Sequence, residues 1–171
     1  QRRHDDLRIE SRHDPLTGLL NRVALQDMLE RPEVLRRLDG SDYVLAVADI
    51  DHFKRINDTL GHLQGDQVLR AVAGVIRNVI RQSDLAVRYC GEEILVIFPH
   101  TGLSAAREIS ERMRLAVGAL SLPIRVTISI GLAVGDPTRD EPQAVFARAD
   151  QALYTAKANG RNQVAIDGET A

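Results

Sequence analysis

Alternating strand-like and helix-like stretches predict an α/β domain, a central mixed sheet flanked by helices. Three observations carry that expectation. Tyr43 to Ile50 (YVLAVADI) is a short, apolar, partly β-branched run that ends in acidic residues. Asp66 to Ile80 places Leu69, Val72, Ile76 and Val79 at helical spacing. Leu85 to Tyr89 and Ile94 to Phe98 bracket a four-residue turn region containing Gly91, the pattern of a β-hairpin.

The elements follow in order. Residues 1–13 are dense in Arg, Asp and Glu, with only Leu7 and Ile9 apolar. This stretch reads either as the end of a helical linker arriving from an upstream module or as a solvated terminus, leaving 14–171 as the globular domain. Tyr43 to Ile50 is the first strand, Asp66 to Ile80 an amphipathic helix, and the hairpin comes next. Leu103, Ala106, Ile109, Met113 and Ala116 mark another helix. Val126 to Ile130 (VTISI) alternates apolar and polar residues and so predicts a half-buried strand. Phe146, Ala149, Leu153 and Ala156 make the last helix, started near Asp140 and stopped by Gly160.

Length and composition fit one domain, since 171 residues at 44% hydrophobic and 27% charged bury one full core. The net charge of -2, with no evident basic patch, argues against nucleic acid as a partner. No apolar run approaches the roughly 20 residues that span a bilayer, and the first residues hold no signal-peptide core. A single cysteine, Cys90, excludes an internal disulfide and a cysteine-clustered zinc site.

Four features stand out chemically. Acids sit at a strand end (Asp49-Ile50-Asp51) and in the hairpin turn (Glu92-Glu93). They read as solvated turn residues or as hard oxygen ligands from two loops, the donor set Mg²⁺ takes together with phosphate oxygens. Lys157 and Arg161 flank a helix end closed by Asn159-Gly160, where cations complement the helix dipole or neutralise a polyphosphate. Asn57-Asp58 precedes Gly65-Asp66, placed ahead of a helix. Asp66 is a helix-start acid, or Asn57 and Asp66 together match a guanine edge. Arg81-Gln82-Ser83-Asp84 ends one helix and turns into the hairpin, or offers a guanidinium and an acid to a nucleotide.

Taken in order, these segments resemble the GGDEF family of diguanylate cyclases along almost the whole chain. The matching stretches are Asp14-Pro15-Leu16-Thr17-Gly18-Leu19-Leu20-Asn21-Arg22, Asp49-Ile50-Asp51-His52-Phe53-Lys54 with Asn57-Asp58, Gly61-His62, Gly65-Asp66, the hairpin, Ser129-Ile130-Gly131, and Tyr154 to Asn162 (YTAKANGRN). The resemblance implies a mainly antiparallel sheet, similar to nucleotidyl cyclase and polymerase palm domains. It also implies condensation of two GTP into cyclic di-GMP and pyrophosphate by metal-assisted phosphoryl transfer across a homodimer. By it, Asp49, Glu92 and the Ile50 carbonyl hold two Mg²⁺ ions, with Mn²⁺ as an alternative, and Glu93 lies beside metals and phosphates. Lys157, Arg161 and backbone N–H groups near His52 and Phe53 hold the triphosphate, and Cys90 and Gly91 also contact the GTP. Asn57 and Asp66 read guanine, Leu16 is an apolar contact, and Arg81 with Asp84 form the inhibitory product site. A cytoplasmic location for this domain follows from the GTP substrate, and an upstream sensory or regulatory domain from the linker.

The hairpin departs from the family at two positions, which usually hold Gly at 90 and Phe at 94. A Cβ on Cys90 strains the turn by about 1 kcal/mol or crowds the nucleotide if that residue needs positive φ; a turn in which Gly91 alone supplies it avoids the strain. Ile94 stays apolar and strand-favouring. Both carboxylates remain, so the resemblance implies an active cyclase. The alternative is a weakly active or inactive module binding cyclic di-GMP or GTP as an effector. A cyclase for other purine nucleotides is disfavoured by Asp66.

Overall fold

The computed structural model describes residues 12–31 and 42–169. Of the expected linker over 1–13, only Arg12 and His13 fall within them, as a turn and as an isolated bridge to Leu20. Along the described chain come α1 (Arg22–Glu30), β1 (Tyr43–Ile50), α2 (Phe53–Leu60), α3 (His62–Val79), β2 (Leu85–Cys90), β3 (Glu93–Phe98), α4 (Leu103–Gly118), β4 (Ile128–Gly135), α5 (Pro142–Ala158) and β5 (Val164–Ile166).

The five strands form one sheet in the order β2-β3-β1-β4-β5. β1 runs antiparallel to both of its neighbours, β3 and β4; β2 and β3 form the antiparallel hairpin, and β5 pairs in parallel with β4. The sheet is thus mixed and mainly antiparallel, as expected.

β1 is buried along its whole length, which accounts for its near-continuous apolar run. Successive side chains enter opposite cores because a strand alternates with a period of two. Val44, Ala46, Ala48 and Ile50 pack with Val72 and Ile76 of α3 and with Ile109 and Met113 of α4. Tyr43, Leu45 and Val47 pack with Leu25 of α1 and with Val145, Ala149 and Leu153 of α5. Each large side chain buried this way contributes about 1.5–3 kcal/mol, and the two cores pin β1 between helical layers.

Three expected boundaries shift, each for a physical reason. α3 starts at His62 rather than Asp66, because Gly61 at φ 88° breaks the chain from α2 and the helix has no side-chain cap. The strand expected over Val126 to Ile130 runs from Ile128 to Gly135 and is buried rather than half-buried. Its polar residues misled the reading: the hydroxyls of Thr127 and Ser129 donate to the buried Asp51 carboxylate at 2.7 and 2.6 Å instead of facing water. The hairpin turn is two residues long, Gly91-Glu92, with Cys90 paired to Glu93.

Candidate active site

The C-terminal end of β1, the following turn, the start of α2, the hairpin tip and the end of α5 converge. Asp49, Ile50, Asp51, His52, Phe53, Lys54, Glu92, Lys157 and Arg161 line one open cleft there. Residues more than a hundred positions apart in the chain therefore share one site because β1 lies at the centre of the sheet and α5 crosses it.

The electrostatics are crowded. Asp49 is buried and stands opposite Glu93 in the β1–β3 register. Burial pushes the Asp49 carboxyl above its ordinary pKa; hydrogen bonding and attraction from Lys157 pull it back, while Glu92 and Asp51 push it up further. Lys157 reaches it from α5 as an ion pair. Burial also raises the Glu93 carboxyl, reinforced by Asp150 and Asp49. Carboxylates gathered in this way repel one another until a cation arrives. The oxygen donors suit a hard divalent ion. No three Asp, Glu, His or Cys side chains converge as a finished cage among the described residues.

α2 begins beside the cleft. His52 precedes it in the left-handed region at φ 56°, and no side chain caps the helix, which leaves its first N–H groups for an anion. Phe53 lines the cleft, and Asn57 lies one turn further along the same helix face. Asn57 fits against α3 only because Gly65 has no side chain: a Cβ there would collide with the Asn57 amide oxygen. Asp66, next to Gly65, sits within α3 rather than ahead of it. Leu16 is half-buried against the α3–α4 core.

The hairpin answers the question its sequence raised. Positive φ falls on Gly91, at 45°, and not on Cys90, which matches a two-residue turn with glycine at its first central position. The Cys90 side chain is exposed, with its sulfur 3.6 Å from Glu93 Oε2, and neither Cys90 nor Gly91 lines the cleft. Partial burial and the Glu93 and Glu92 carboxylates raise its thiol pKa, so it is not an activated thiolate. Ile94 is in the core at 1% exposure.

Sequence reasoning missed the group that holds the hairpin tip. Arg88 Nε donates to the Gly91 carbonyl at 2.9 Å, and its Nη1 donates to both Asp14 oxygens at 3.1 and 3.3 Å. Asp14 also accepts from Thr17, backbone N–H and hydroxyl, at 2.9 and 2.7 Å. Burial alone would raise the Asp14 pKa, but the Thr17 hydrogen bonds and Arg88 lower it below the ordinary carboxylate value. The only available signal was Asp14-Pro15-Leu16-Thr17, an acid placed to cap a turn three residues on.

Arg81 and Asp84 lie apart from the cleft, before β2. Asp84 is buried and accepts from Arg81 Nε at 3.1 Å, Nη2 at 2.9 Å and backbone N–H at 2.8 Å. The Thr101 hydroxyl also meets Arg81.

Fold and site together define an α/β domain with a carboxylate-and-cation cleft at the end of its central strand. The chain belongs to the GGDEF diguanylate cyclase family: the family model described as diguanylate cyclase, GGDEF domain, matches residues 11–163. Diguanylate cyclase DgcP of Pseudomonas aeruginosa is 46% identical over 167 residues, 95% of this chain and 25% of that protein. The chain thus spans about a quarter of that relative. The crystal structure of the coiled coil and GGDEF domain of DgcB from Caulobacter crescentus, in complex with c-di-GMP, superposes with a TM-score of 0.89 at 38% identity, covering 96% of this chain and 91% of that one. The active GGEEF domain of a diguanylate cyclase from Vibrio cholerae superposes with a TM-score of 0.81 at 28% identity, covering 89% and 99%. No described helix is long and apolar enough to cross a membrane.

Proposed function

We propose that the domain is an active diguanylate cyclase, joining two GTP molecules into cyclic di-GMP with loss of pyrophosphate. The observation that carries this reading is the cleft itself, whose lining brings Asp49, Ile50 and Glu92 together with Lys157 and Arg161. Asp49, Glu92 and the Ile50 carbonyl would hold two Mg²⁺ ions, or Mn²⁺ in their place, with Glu93 beside them. Such ions would supply activation of the attacking hydroxyl and charge neutralisation at the leaving group.

The chain's own groups do the rest. Lys157, as a point charge, and Arg161, as a fork, hold the triphosphate, joined by the uncapped N–H groups at the start of α2. Asp66 accepts from the guanine N1–H and exocyclic amine and the Asn57 amide donates to the guanine acceptors, with Leu16 against the base. Each 3′-oxygen attacks the α-phosphorus of the opposing GTP in turn, so two ester bonds form, two bonds to the α–β bridging oxygens break, two pyrophosphates leave and the two hydroxyl protons pass to solvent. Each domain holds one GTP, so two domains must face each other as a homodimer. An upstream module delivered through residues 1–13 would set that encounter, and the solved DgcB structure, which includes a coiled coil beside its GGDEF domain, supports such a linker. Arg81 and Asp84 bind product and restrain turnover. A domain that uses GTP works in the cytoplasm.

The test is incubation with GTP and Mg²⁺ followed by separation of nucleotides. Wild type yields cyclic di-GMP, and Cys90→Gly stays within about threefold of it, because residue 90 already has negative φ. Glu92→Ala loses more than about 100-fold. Absence of product from a dimer that still binds cyclic di-GMP would replace this reading with an effector module.

A further inference from the structure

Behind Arg161 the backbone turns left-handed for three residues in succession, Gly160 at φ 118°, Arg161 at 63° and Asn162 at 47°. Gly160 is ordinary in this role. It closes α5, with its N–H donating to the Lys157 carbonyl at 3.3 Å and the Arg161 N–H to the Ala156 carbonyl at 3.0 Å, the paired bonds of a Schellman motif. Two further non-glycine residues with positive φ are strained, and such backbone persists only where its surroundings over-determine it.

Those surroundings grip Asn162 from two sides. Its N–H donates to Asp51 Oδ2 and to Ser129 Oγ, both at 3.1 Å. Asp51 is buried and held by the Thr127 and Ser129 hydroxyls, so its carboxylate is committed to this turn. On the other side Arg114, from α4, donates Nη1 to the Asn162 amide oxygen at 3.1 Å and to its carbonyl at 3.4 Å. Arg114 is itself oriented by Glu111 Oε2, which accepts from Nε at 3.0 Å and Nη2 at 2.8 Å.

We propose that Arg114 is a positioning residue for GTP binding: by clamping Asn162 against Asp51 and Ser129, it fixes the left-handed turn that presents Arg161 to the cleft. This rests on the reading of Arg161 as a phosphate holder. It gives Asp51 a different task from Asp49: the second acid of the cluster holds the turn and not a metal. Arg114 does not itself line the cleft and acts on it through the turn that carries Arg161.

A double-mutant cycle on the dimeric protein tests it, with the affinity for a fluorescent non-hydrolysable GTP analogue and KM read beside kcat. Arg114→Met is expected to weaken binding about 5- to 10-fold and to raise KM with little change in kcat, and Asn162→Gly, which relieves the strained φ but removes the gripped amide, does the same. In an Arg161→Ala background Arg114→Met has no further effect. Circular dichroism and thermal melts check that the variants fold, and methionine keeps most of the arginine's aliphatic length at this largely buried position. Additive losses in the double variant, or unchanged affinity in a folded Arg114→Met protein, would overturn the inference while leaving Arg161 in place. An Arg161→Ala protein that binds normally overturns the phosphate reading itself, and the inference with it.

Discussion

Asp49 shows how a single position trades stability for chemistry. Its carboxyl is raised by burial first, beyond what Lys157 recovers. A raised folded-state pKa means the folded protein holds that proton more tightly than the unfolded chain, so stability is lost as pH rises from the ordinary carboxylate range through the folded value. Metal-free Asp49→Asn should therefore melt above wild type at pH 7, with the gap closing in acid, while the proposed cyclase activity is lost. Equal melting temperatures at pH 7 would contradict this. Asp14 has the opposite sign. Its lowered pKa contributes stability above the ordinary carboxylate value that vanishes as pH falls through the depressed one. Arg88→Ala removes its partner in a half-buried, charge-assisted pair and should cost about 2 kcal/mol, a fall of about 4–8 °C in Tm at neutral pH that shrinks in acid. It should also lower kcat/KM, because the same side chain holds the Gly91 carbonyl under Glu92.

Between elements the α2–α3 contact carries the sharpest expectation. Gly65→Ala places a methyl where the Asn57 amide lies, and the yielding group is a side chain rather than backbone. Alanine in a helix interior gains about 1 kcal/mol over glycine, so the variant should fold at least as well as wild type yet bind GTP about 10-fold more weakly. Calorimetric titration beside a melt separates the two effects; lost stability with unchanged affinity would refute the guanine role of Asn57. Legibility from sequence was uneven at this scale. β1 was readable to the residue because a strand between two helical layers must be apolar throughout. α1 and α2, at 9 and 8 residues, were missed because two turns carry too little periodicity, and β5, at three residues, carries none. Ser129 and Thr127 look like a solvent face until the buried carboxylate they serve is seen. The site residues were legible as motifs, but Arg88 and Arg114 were not, since an arginine's partner 74 or 48 positions away leaves no local mark.

At the scale of the molecule, the proposed reaction gives each domain one GTP while the product needs two. Specific activity should then rise with protein concentration until the dimer saturates, and a fused tandem of two copies should abolish that dependence by raising effective concentration. Constant specific activity over a 100-fold dilution of the separate chains would contradict the two-domain reaction.

The strand order has a last consequence, for the chain during its own synthesis. β1 is made first yet lies in the middle, and its neighbours β3 and β4 are encoded far downstream. Asp49 meets Lys157 across 108 positions. For some seconds of translation the strand that ends up buried along its whole length has no partner on either edge, which exposes it to chaperones and to aggregation. A ribosome-bound chain that lacks the end of α5 has the acids of the cleft and Lys54 but neither Lys157 nor Arg161. The high share of distant pairings predicts folding in milliseconds to seconds rather than microseconds, completed only when the C-terminal helix docks.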